Sequence, residues 1–511
     1  MIWTSLLLFT VTLSSAEELT TKAQNGRQIF REGTSATGQQ INARLADGEK
    51  VNAALLPCIN CHGADATGRE EGGFNTPDIT WDALTKPYRA FPYDQRTFSL
   101  AISRGERPGT AAKETLASIM PRYSLSQYDL ESLIAYLKVV DETLSSGVSD
   151  SEIVILVLLE PTESTAGFGD AIQDVLDAFF RTLNASGGVH RRMLHPRFVV
   201  LPEDPNQTMA LITDAVKNTP PLAAVATYMH GYEAEVTRAL DENDIPNIGS
   251  FTTLLPNTNT PRSPIFHLIP GLDYDSKALA IALSSKLKDR RQSVAVVSDD
   301  VVNWKRIAQV AFDELSRNKL VDLHSVLLSP DTDLENAVAM FERQRVDSVF
   351  LFSSSEYGRK LVNEISKTNL KPDYYSPGPV ARYIFARTPG VAGSKLNFSW
   401  NTLPRDQRPR ALSQFSQLFD DGGDSTNQPY QQEQLQAVAA AKILVEALIQ
   451  AGYSVNRKTL TDAIEQIQGF PTGLIPEVTF GPNRRIGTGG VYVTTTDTAK
   501  RTRESQWIRL D

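Results

Sequence analysis

The hydrophobic pattern along this chain changes character twice. A short apolar stretch from Ile2 to Leu13 opens it and gives way to the small residues Ser14, Ser15 and Ala16, then abruptly to Glu17 and Glu18. Helical spacing governs the next hundred residues. Gly26–Gly33 reads as a short helix stopped by glycine. Ser126-Gln127-Tyr128-Asp129 reads as a capping box that opens a later helix. There Leu130, Leu133, Ile134 and Leu137 recur at i, i+3, i+4 and i+7 and give one apolar face. From Ile153 the pattern alternates. Ile153–Leu159 is a continuous β-branched run, as expected of a strand buried on both faces. Helical periods at 169–183, 209–218 and 232–242 follow, with strands at 198–201, 222–227 and 245–248. A second series has strands at 293–298, 321–327 and 348–352 and helices at 302–317, 334–343 and 356–368. Two successive βαβ series predict two doubly wound α/β lobes.

At 511 residues the chain is too long for one domain. Hydrophobic residues at 41% and charged residues at 22% are ordinary for a globular protein. The net charge of −9 argues against nucleic acid, which wants a basic face. Residues 1–16 read as a signal peptide cut after Ala16. Their apolar part is too short for a bilayer core that needs about 20 residues. No cysteine follows the cut to carry a lipid, and no later run reads as a membrane span, so a periplasmic protein is expected. Residues 142–151 read as a polar linker.

The chain has two cysteines, placed in Cys58-Ile59-Asn60-Cys61-His62. Cys-x-x-Cys-His is the signature of covalent c-type haem attachment: two thiols one helical turn apart meet the porphyrin vinyls, and the adjacent imidazole meets the iron. A thioredoxin-like pair would sit in a βαβ context, which is absent here. A zinc site needs four ligands, and the next histidine is His190. A local disulfide leaves His62 without a reason. Between 17 and 150 the only methionine is Met120, 58 positions after His62. A thioether suits haem iron, so His62 and Met120 are the candidate axial ligands and Cys58 and Cys61 the attachment points of one haem c.

On these residues the region 24–141 resembles a class I c-type cytochrome. In that family the first and last helices cross through a glycine and two aromatics, positions matched by Gly26, Phe30 and Tyr136. The resemblance implies a small all-α domain that transfers electrons. The insert between Gly33 and Cys58 and the Pro- and Tyr-rich stretch 76–94 depart from the pattern. Trp81, Tyr88, Tyr93 and Arg69 either line the haem pocket or pack as ordinary residues.

Residues 152–511 resemble a type I periplasmic binding protein of the branched-chain amino-acid receptor kind. The matching motifs are Leu183-Asn184-Ala185-Ser186-Gly187-Gly188-Val189, Asp244-Ile245-Pro246-Asn247-Ile248 and Phe266-His267-Leu268-Ile269-Pro270. Ligands of such sheets bind at the carboxyl ends of the strands, between the lobes. That nominates Tyr228, His230, Ser250, Thr252, Trp304 and Ser354. The family's first hydroxyl loop is replaced here by Thr227-Tyr228-Met229-His230, and its Tyr-Gly by Asn303-Trp304. Either a flatter or more apolar ligand than a free amino acid, or no ligand at all, is therefore expected. No nucleotide loop, zinc-protease motif or nucleophile elbow is found, so no enzyme is expected. The fusion resembles chains associated with PQQ-dependent alcohol oxidation. That likeness implies a periplasmic redox partner, either a quinoprotein dehydrogenase or a terminal oxidase. The alternative is a solute receptor for an ABC importer or a sensor, with haem as accessory.

Overall fold

The computed structural model describes residues 20–510 except positions 69, 72–73, 87–90, 110–118, 142–144, 162–166, 256–262, 288, 386–390, 392, 419–429 and 499–501. The signal peptide at 1–16 and the pocket candidates Arg69 and Tyr88 lie outside the described residues. The chain divides into two compact units. One holds the described residues up to Val148 with Val216–Leu222 and Asn456–Lys458. The other holds Ser149–Ala215, Ala223–Val455 and Thr459–Asp511.

The first unit runs α1 (Thr21–Glu32), β1 (Asn42–Arg44), β2 (Lys50–Asn52), α2 (Ile59–His62), β3 (Glu70–Glu71), β4 (Phe74–Asn75), α3 (Trp81–Thr85), α4 (Gln95–Arg104), β5 (Arg122–Ser124) and α5 (Gln127–Leu137). The Thr20 hydroxyl caps α1 by accepting from the Ala23 amide at 3.2 Å, and Gly33 ends it at φ +68°. Helices α1 and α5 pack directly on each other. A Cβ at Gly26 would lie 1.9 Å from the Ser132 carbonyl oxygen, so only glycine lets the two backbones meet. Beside that crossing the Phe30 and Tyr136 rings sit 5.5 Å apart, both fully buried. Asp129 accepts from Asn25 Nδ2 at 3.1 Å, Ser35 Oγ at 2.6 Å and Ser126 Oγ at 2.7 Å, tying the two helices through a buried carboxylate.

The expectation that this unit is all-α is corrected. β1 pairs antiparallel with β2 and with β5, giving a three-stranded sheet of order β2-β1-β5. The insert after Gly33 supplies β1 and β2. Ala43 faces inward between exposed Asn42 and Arg44, the period-2 burial of a strand too short for its pattern to register in the sequence.

The second unit has two lobes. In the first, β6 (Glu152–Leu159), β7 (Met193–Val200), β8 (Ala223–Tyr228), β9 (Asn247–Phe251) and β10 (Ile265–Phe266) form a parallel five-stranded sheet of order β10-β9-β8-β6-β7. Its connecting helices are α6 (Phe168–Ala185), α7 (Thr208–Asn218) and α8 (Glu233–Glu242). The chain then enters the second lobe through α9 (Leu272–Lys286), β11 (Gln292–Asp299), α10 (Val302–Ser316), β12 (Val321–Leu328), α11 (Leu334–Arg343), β13 (Ser348–Phe352), α12 (Glu356–Ser366), β14 (Asp373–Pro377), α13 (Gly378–Phe385) and β15 (Lys395–Trp400). After α14 (Pro409–Gln417) it returns to the first lobe as α15 (Gln431–Ala451). Past α16 (Arg457–Glu465), β16 (Gly490–Asp497) and β17 (Thr502–Arg509) close the second sheet in the order β12-β11-β13-β14-β15-β16-β17. The last two strands are antiparallel, an edge the sequence pattern does not announce.

Both sheets follow the logic of parallel strands covered by helices on each face. β6 and β13 are buried almost throughout. Phe350 and Tyr375 stack at 4.6 Å inside the second lobe. One expectation fails: α15 is long and apolar enough to cross a membrane by length and composition. It packs instead against α6, β8 and β9, with Leu435, Ala437, Ile443, Leu444 and Leu448 buried. A helix apolar all round is one a large core can enclose.

Candidate functional site

In a parallel sheet the loops at the carboxyl ends of the strands share one edge, and in the first lobe that edge is aromatic. Phe168 opens α6. Its ring meets Tyr228, at the end of β8, at 5.9 Å, and Phe251, at the end of β9, at 5.3 Å. It meets Tyr430, which precedes α15, at 5.4 Å. All of these contacts are edge-to-face, and all of these rings are half-buried, so they form a wall rather than a closed core. Tyr228 also packs on His230 and Tyr232.

Two amides at this edge are bonded to the chain's own carboxylates. Glu160 Oε1, at the end of β6, accepts from the Gly169 amide at 3.0 Å in the first turn of α6. Glu233 Oε2 accepts from the Gly231 amide at 2.9 Å, and its Oε1 accepts from Thr252 Oγ1 at 2.8 Å. Burial first, and these carboxylates second, push the Tyr228 hydroxyl up to about 12.

The nominated residues fall into two sets. Tyr228, His230, Ser250 and Thr252 lie on the first lobe, where the Thr253 hydroxyl meets His230 Nδ1. Ser250 is turned inward: it is 9% exposed and accepts from Asn247 Nδ2 at 2.9 Å. It lines, with Ala226, Gly249, Phe251, Leu268 and Ala440, a cavity of about 10 Å³, room for a single water. Trp304 and Ser354 lie on the second lobe and touch, Trp304 Nε1 donating to Ser354 Oγ at 3.1 Å. Among the described residues no hydrogen bond joins the first set to the second.

Asp299, at the end of β11, builds the second-lobe loop. Its carboxylate accepts from Ser353 Oγ at 2.6 Å, Ser355 Oγ at 2.6 Å, the Ser354 amide at 3.0 Å and the Ser355 amide at 3.2 Å. Nearby in the fold, the first turn of α9 and the exit of β15 bring together Asp275 and Asn401, with Asn401 Nδ2 donating to Asp275 Oδ1 at 3.4 Å. Asp275 is fully buried, and burial pushes its carboxyl up to about 7. The Ser399 hydroxyl also lies against the Asp275 carboxyl and favours its ionised form.

Sequence reasoning passed over Phe168, Phe251, Asn247, Asp275 and Asp299. Asp299 carried a usable signal, a carboxylate closing a β-branched run. Phe168 did not, because the helical period was read from Gly169.

In the first unit, Cys58 and Cys61 are free thiols, Cys58 at the N-cap of the single turn α2 and Cys61 within it. Burial pushes the Cys58 thiol up to about 12. His62 is buried, and its Nδ1 lies 3.0 Å from the Pro77 carbonyl oxygen. A carbonyl can only accept, so Nδ1 carries the proton and Nε2 keeps its lone pair for a metal. Burial lowers the His62 pKa, which keeps the ring neutral. Met120 is half-buried, and its carbonyl accepts from Arg122. Tyr123 donates to the Leu56 carbonyl at 2.6 Å, and Cys58, Trp81, Tyr93 and Tyr123 each pack on the core of the first unit. This donor set, two thiols and a neutral imidazole with an oriented ring, fits a covalently held haem.

Comparison with known proteins bears on the second unit. The family model described as periplasmic binding protein matches residues 152–501. No curated protein matches the chain. Among solved structures, a fatty acid ABC transporter substrate-binding protein from Thermomonospora curvata superposes with a TM-score of 0.55 at 17% identity, over 72% of this chain and 93% of that one. The branched-chain amino acid transporter substrate-binding protein LivJ from Streptococcus pneumoniae, in complex with isoleucine, gives 0.56 at 14%, over 70% and 100%. A branched-chain amino acid ABC transporter protein from Thermus thermophilus with bound valine gives 0.54 at 12%, over 70% and 97%. At such identities the likeness is one of fold.

Proposed function

Because residues 152–501 make this chain a member of the periplasmic binding protein family, we propose that its second unit is an extracytoplasmic receptor for a small organic solute. The receptor hands that solute to an ABC importer or a sensor. The family binds rather than converts its ligands. The observation that carries the reading is the half-exposed aromatic wall of Phe168, Tyr228, Phe251 and Tyr430 at the carboxyl ends of the first-lobe strands. Apolar ring faces held at the edge of a pre-formed sheet are costly to leave in water and gain by covering a ligand. The second-lobe loop with Trp304, Ser354 and Asp299 supplies the opposing face, and hinge closure brings such lobes together. The relatives whose names record a ligand bind isoleucine, valine or a fatty acid, all with apolar bodies. Native mass spectrometry of the full chain purified from a periplasm tests this. A single small molecule released on denaturation, and depleted in Phe168→Ala, is expected. Retention unchanged in Phe168→Ala counts against the wall.

We further propose that the first unit holds one haem c through Cys58 and Cys61, with His62 and Met120 toward the iron and a periplasmic redox partner. The Pro77 carbonyl on His62 Nδ1 supports this, since it orients the ring and fixes its tautomer. When bound, the group supplies one-electron chemistry. His62 and the two thiols would hold it in place. Expression with c-type maturation machinery, then denaturing extraction, is the test. Haem that stays with the polypeptide in wild type and leaves it in the Cys58→Ala, Cys61→Ala double variant is expected. A colourless wild type contradicts the reading.

A further inference from the structure

The ladder between β8 and β9 breaks at the foot of the aromatic wall. Its pairs run Ala224–Asn247, Val225–Ile248, Thr227–Ser250 and Tyr228–Phe251, and skip Ala226 and Gly249. Both skipped residues lie in the left-handed region, at φ +50° and +76°. For an alanine inside a strand that backbone is strained, and such strain gathers at functional sites. Here it borders the cavity of about 10 Å³ lined by Ala226, Gly249, Ser250, Phe251, Gln436 and Ala440. The space depends on glycine, since a Cβ at Gly249 would lie 2.8 Å from the Ala440 Cβ. None of the residues lining it is charged. Phe251 belongs both to the cavity and to the wall, where its ring meets Phe168 at 5.3 Å, so the two are contiguous.

Independently, a hydrogen-bond chain of fixed direction ends in that cavity. An amide oxygen only accepts, and an amide nitrogen only donates. Asn247 Oδ1 accepts from the Thr227 hydroxyl at 2.7 Å. Its Nδ2 donates to Ser250 Oγ at 2.9 Å and to Met229 Sδ at 3.9 Å. Asn247 is thereby used up in one orientation, with Ser250 Oγ as acceptor. The Ser250 hydroxyl hydrogen is left to donate, and among the described residues no acceptor meets it. Ser250 is only 9% exposed, so an unmet donor there is costly. Gln436, half-buried beside it on α15, likewise makes no side-chain hydrogen bond among the described residues. A cavity of this size admits one water-sized group. A charged group would enter it without a counter-ion, at far greater cost than a neutral one. What the Ser250 donor lacks is one neutral acceptor.

Resting on the receptor reading, we propose that this cavity takes one uncharged oxygen of the solute, the hydroxyl or carbonyl of an aromatic body. Ser250 donates to that oxygen, Gln436 bonds it from α15, and the ring lies against Phe251 and Phe168. The test is calorimetric titration of the full chain with benzyl alcohol, acetophenone, toluene, benzoate and benzylamine. These share one ring and differ in the group it carries. A wall alone favours toluene, because an unbonded hydroxyl or carbonyl is costly to bury. With the Ser250 donor, benzyl alcohol or acetophenone is expected to bind about three- to tenfold more tightly than toluene. The tighter of the two identifies the oxygen as hydroxyl or carbonyl. Benzoate and benzylamine are expected to be weakest. Ser250→Ala is expected to put toluene ahead. Ser250→Cys, a weaker donor that still gives Asn247 an acceptor, is expected to fall between, and Gln436→Leu to reduce the preference. Unliganded melting curves show whether each variant is folded. Phe168→Ala is expected to weaken all five probes alike. Toluene ahead in wild type shows a cavity that holds a structural water only, and overturns the inference. Benzoate or benzylamine ahead overturns it as well. A preference undiminished in folded Ser250→Ala or Ser250→Cys overturns the assigned anchor. Each of these results leaves the receptor reading standing. No binding by any of the five overturns the inference, and a blank extended to fatty acids and amino acids overturns the receptor reading too.

Discussion

Asn247 is the polar residue that the first lobe can least lose. It is fully buried on β9, its Oδ1 accepts from Thr227 Oγ1 on β8 at 2.7 Å, and its Nδ2 donates to Ser250 Oγ at 2.9 Å. Asn247→Leu keeps the volume and removes both bonds. The Thr227 hydroxyl, itself fully buried, is left without an acceptor, which costs about 1–3 kcal/mol, and Ser250 loses a donor worth roughly 1 kcal/mol. The expected loss is therefore about 2–4 kcal/mol. Thr227→Val in the same background removes the stranded hydroxyl. Replacing both partners by apolar groups is close to neutral, so the double variant is expected to regain about 1 kcal/mol or more. Guanidinium titration followed by tryptophan fluorescence reads this, since Trp304, Trp400 and Trp507 all lie in the second unit. A single variant within 0.5 kcal/mol of wild type, on the order of surface-mutation noise, refutes the argument. So does a double variant less stable than the single one.

Three further outcomes follow from the geometry. The Asp275 carboxyl stands at about 7 in the folded chain against roughly 3.9 unfolded, through burial first and its neighbour Asp273 last, with Asn401 and Ser399 opposing. The folded state therefore binds the proton more tightly. Stability from this group is full below pH 4, falls between pH 4 and 7, and is flat above. Asp275→Asn is expected to flatten that decline in denaturant midpoints taken across the range, and an unchanged slope refutes the assignment. Gly26→Ala pushes a methyl to 1.9 Å from the Ser132 carbonyl oxygen, and is expected to cost the first unit about 3 kcal/mol or more, read by melting; an unchanged midpoint contradicts the close crossing. Asp129 is drawn up by burial but held below the usual carboxylate range by Ser35, Ser126 and Asn25. The first unit is therefore expected to lose stability as pH falls through the acid range, and Asp129→Asn is expected to lose that dependence. An acid limb unchanged in that variant contradicts it.

The doubly wound lobes were legible because strands buried on both faces write continuous apolar runs, as Ile153–Leu159 does, and the intervening helices keep their period. What escaped was short or polar. β1 and β2 span three residues each, too few for alternation to show. β16 and β17 are rich in threonine, serine and charge, which a solvent-facing antiparallel edge tolerates and a hydrophobic scan passes over. In the site, loop aromatics such as Tyr228 were found because strand ends are where ligands bind. Phe168 was missed because it belongs to a helix start. Asn247 and Asp275 were missed because a polar residue inside an apolar element gives no sign of its partner, which comes from another strand or from a segment more than a hundred residues away. Ser250 was legible as a hydroxyl but not as one turned inward.

The most direct test of the account is the thermal midpoint of the full chain against a panel of small amines, alcohols, organic acids, fatty acids and amino acids. A ligand that binds only the folded state stabilises it by about 2.7 kcal/mol at a hundred times its dissociation constant. At least one apolar-bodied compound is expected to raise the transition of the second unit in a concentration-dependent way, with the rise lost in Phe168→Ala. A midpoint that no compound moves, or one that moves equally in Phe168→Ala, would contradict a solute receptor built on that aromatic wall.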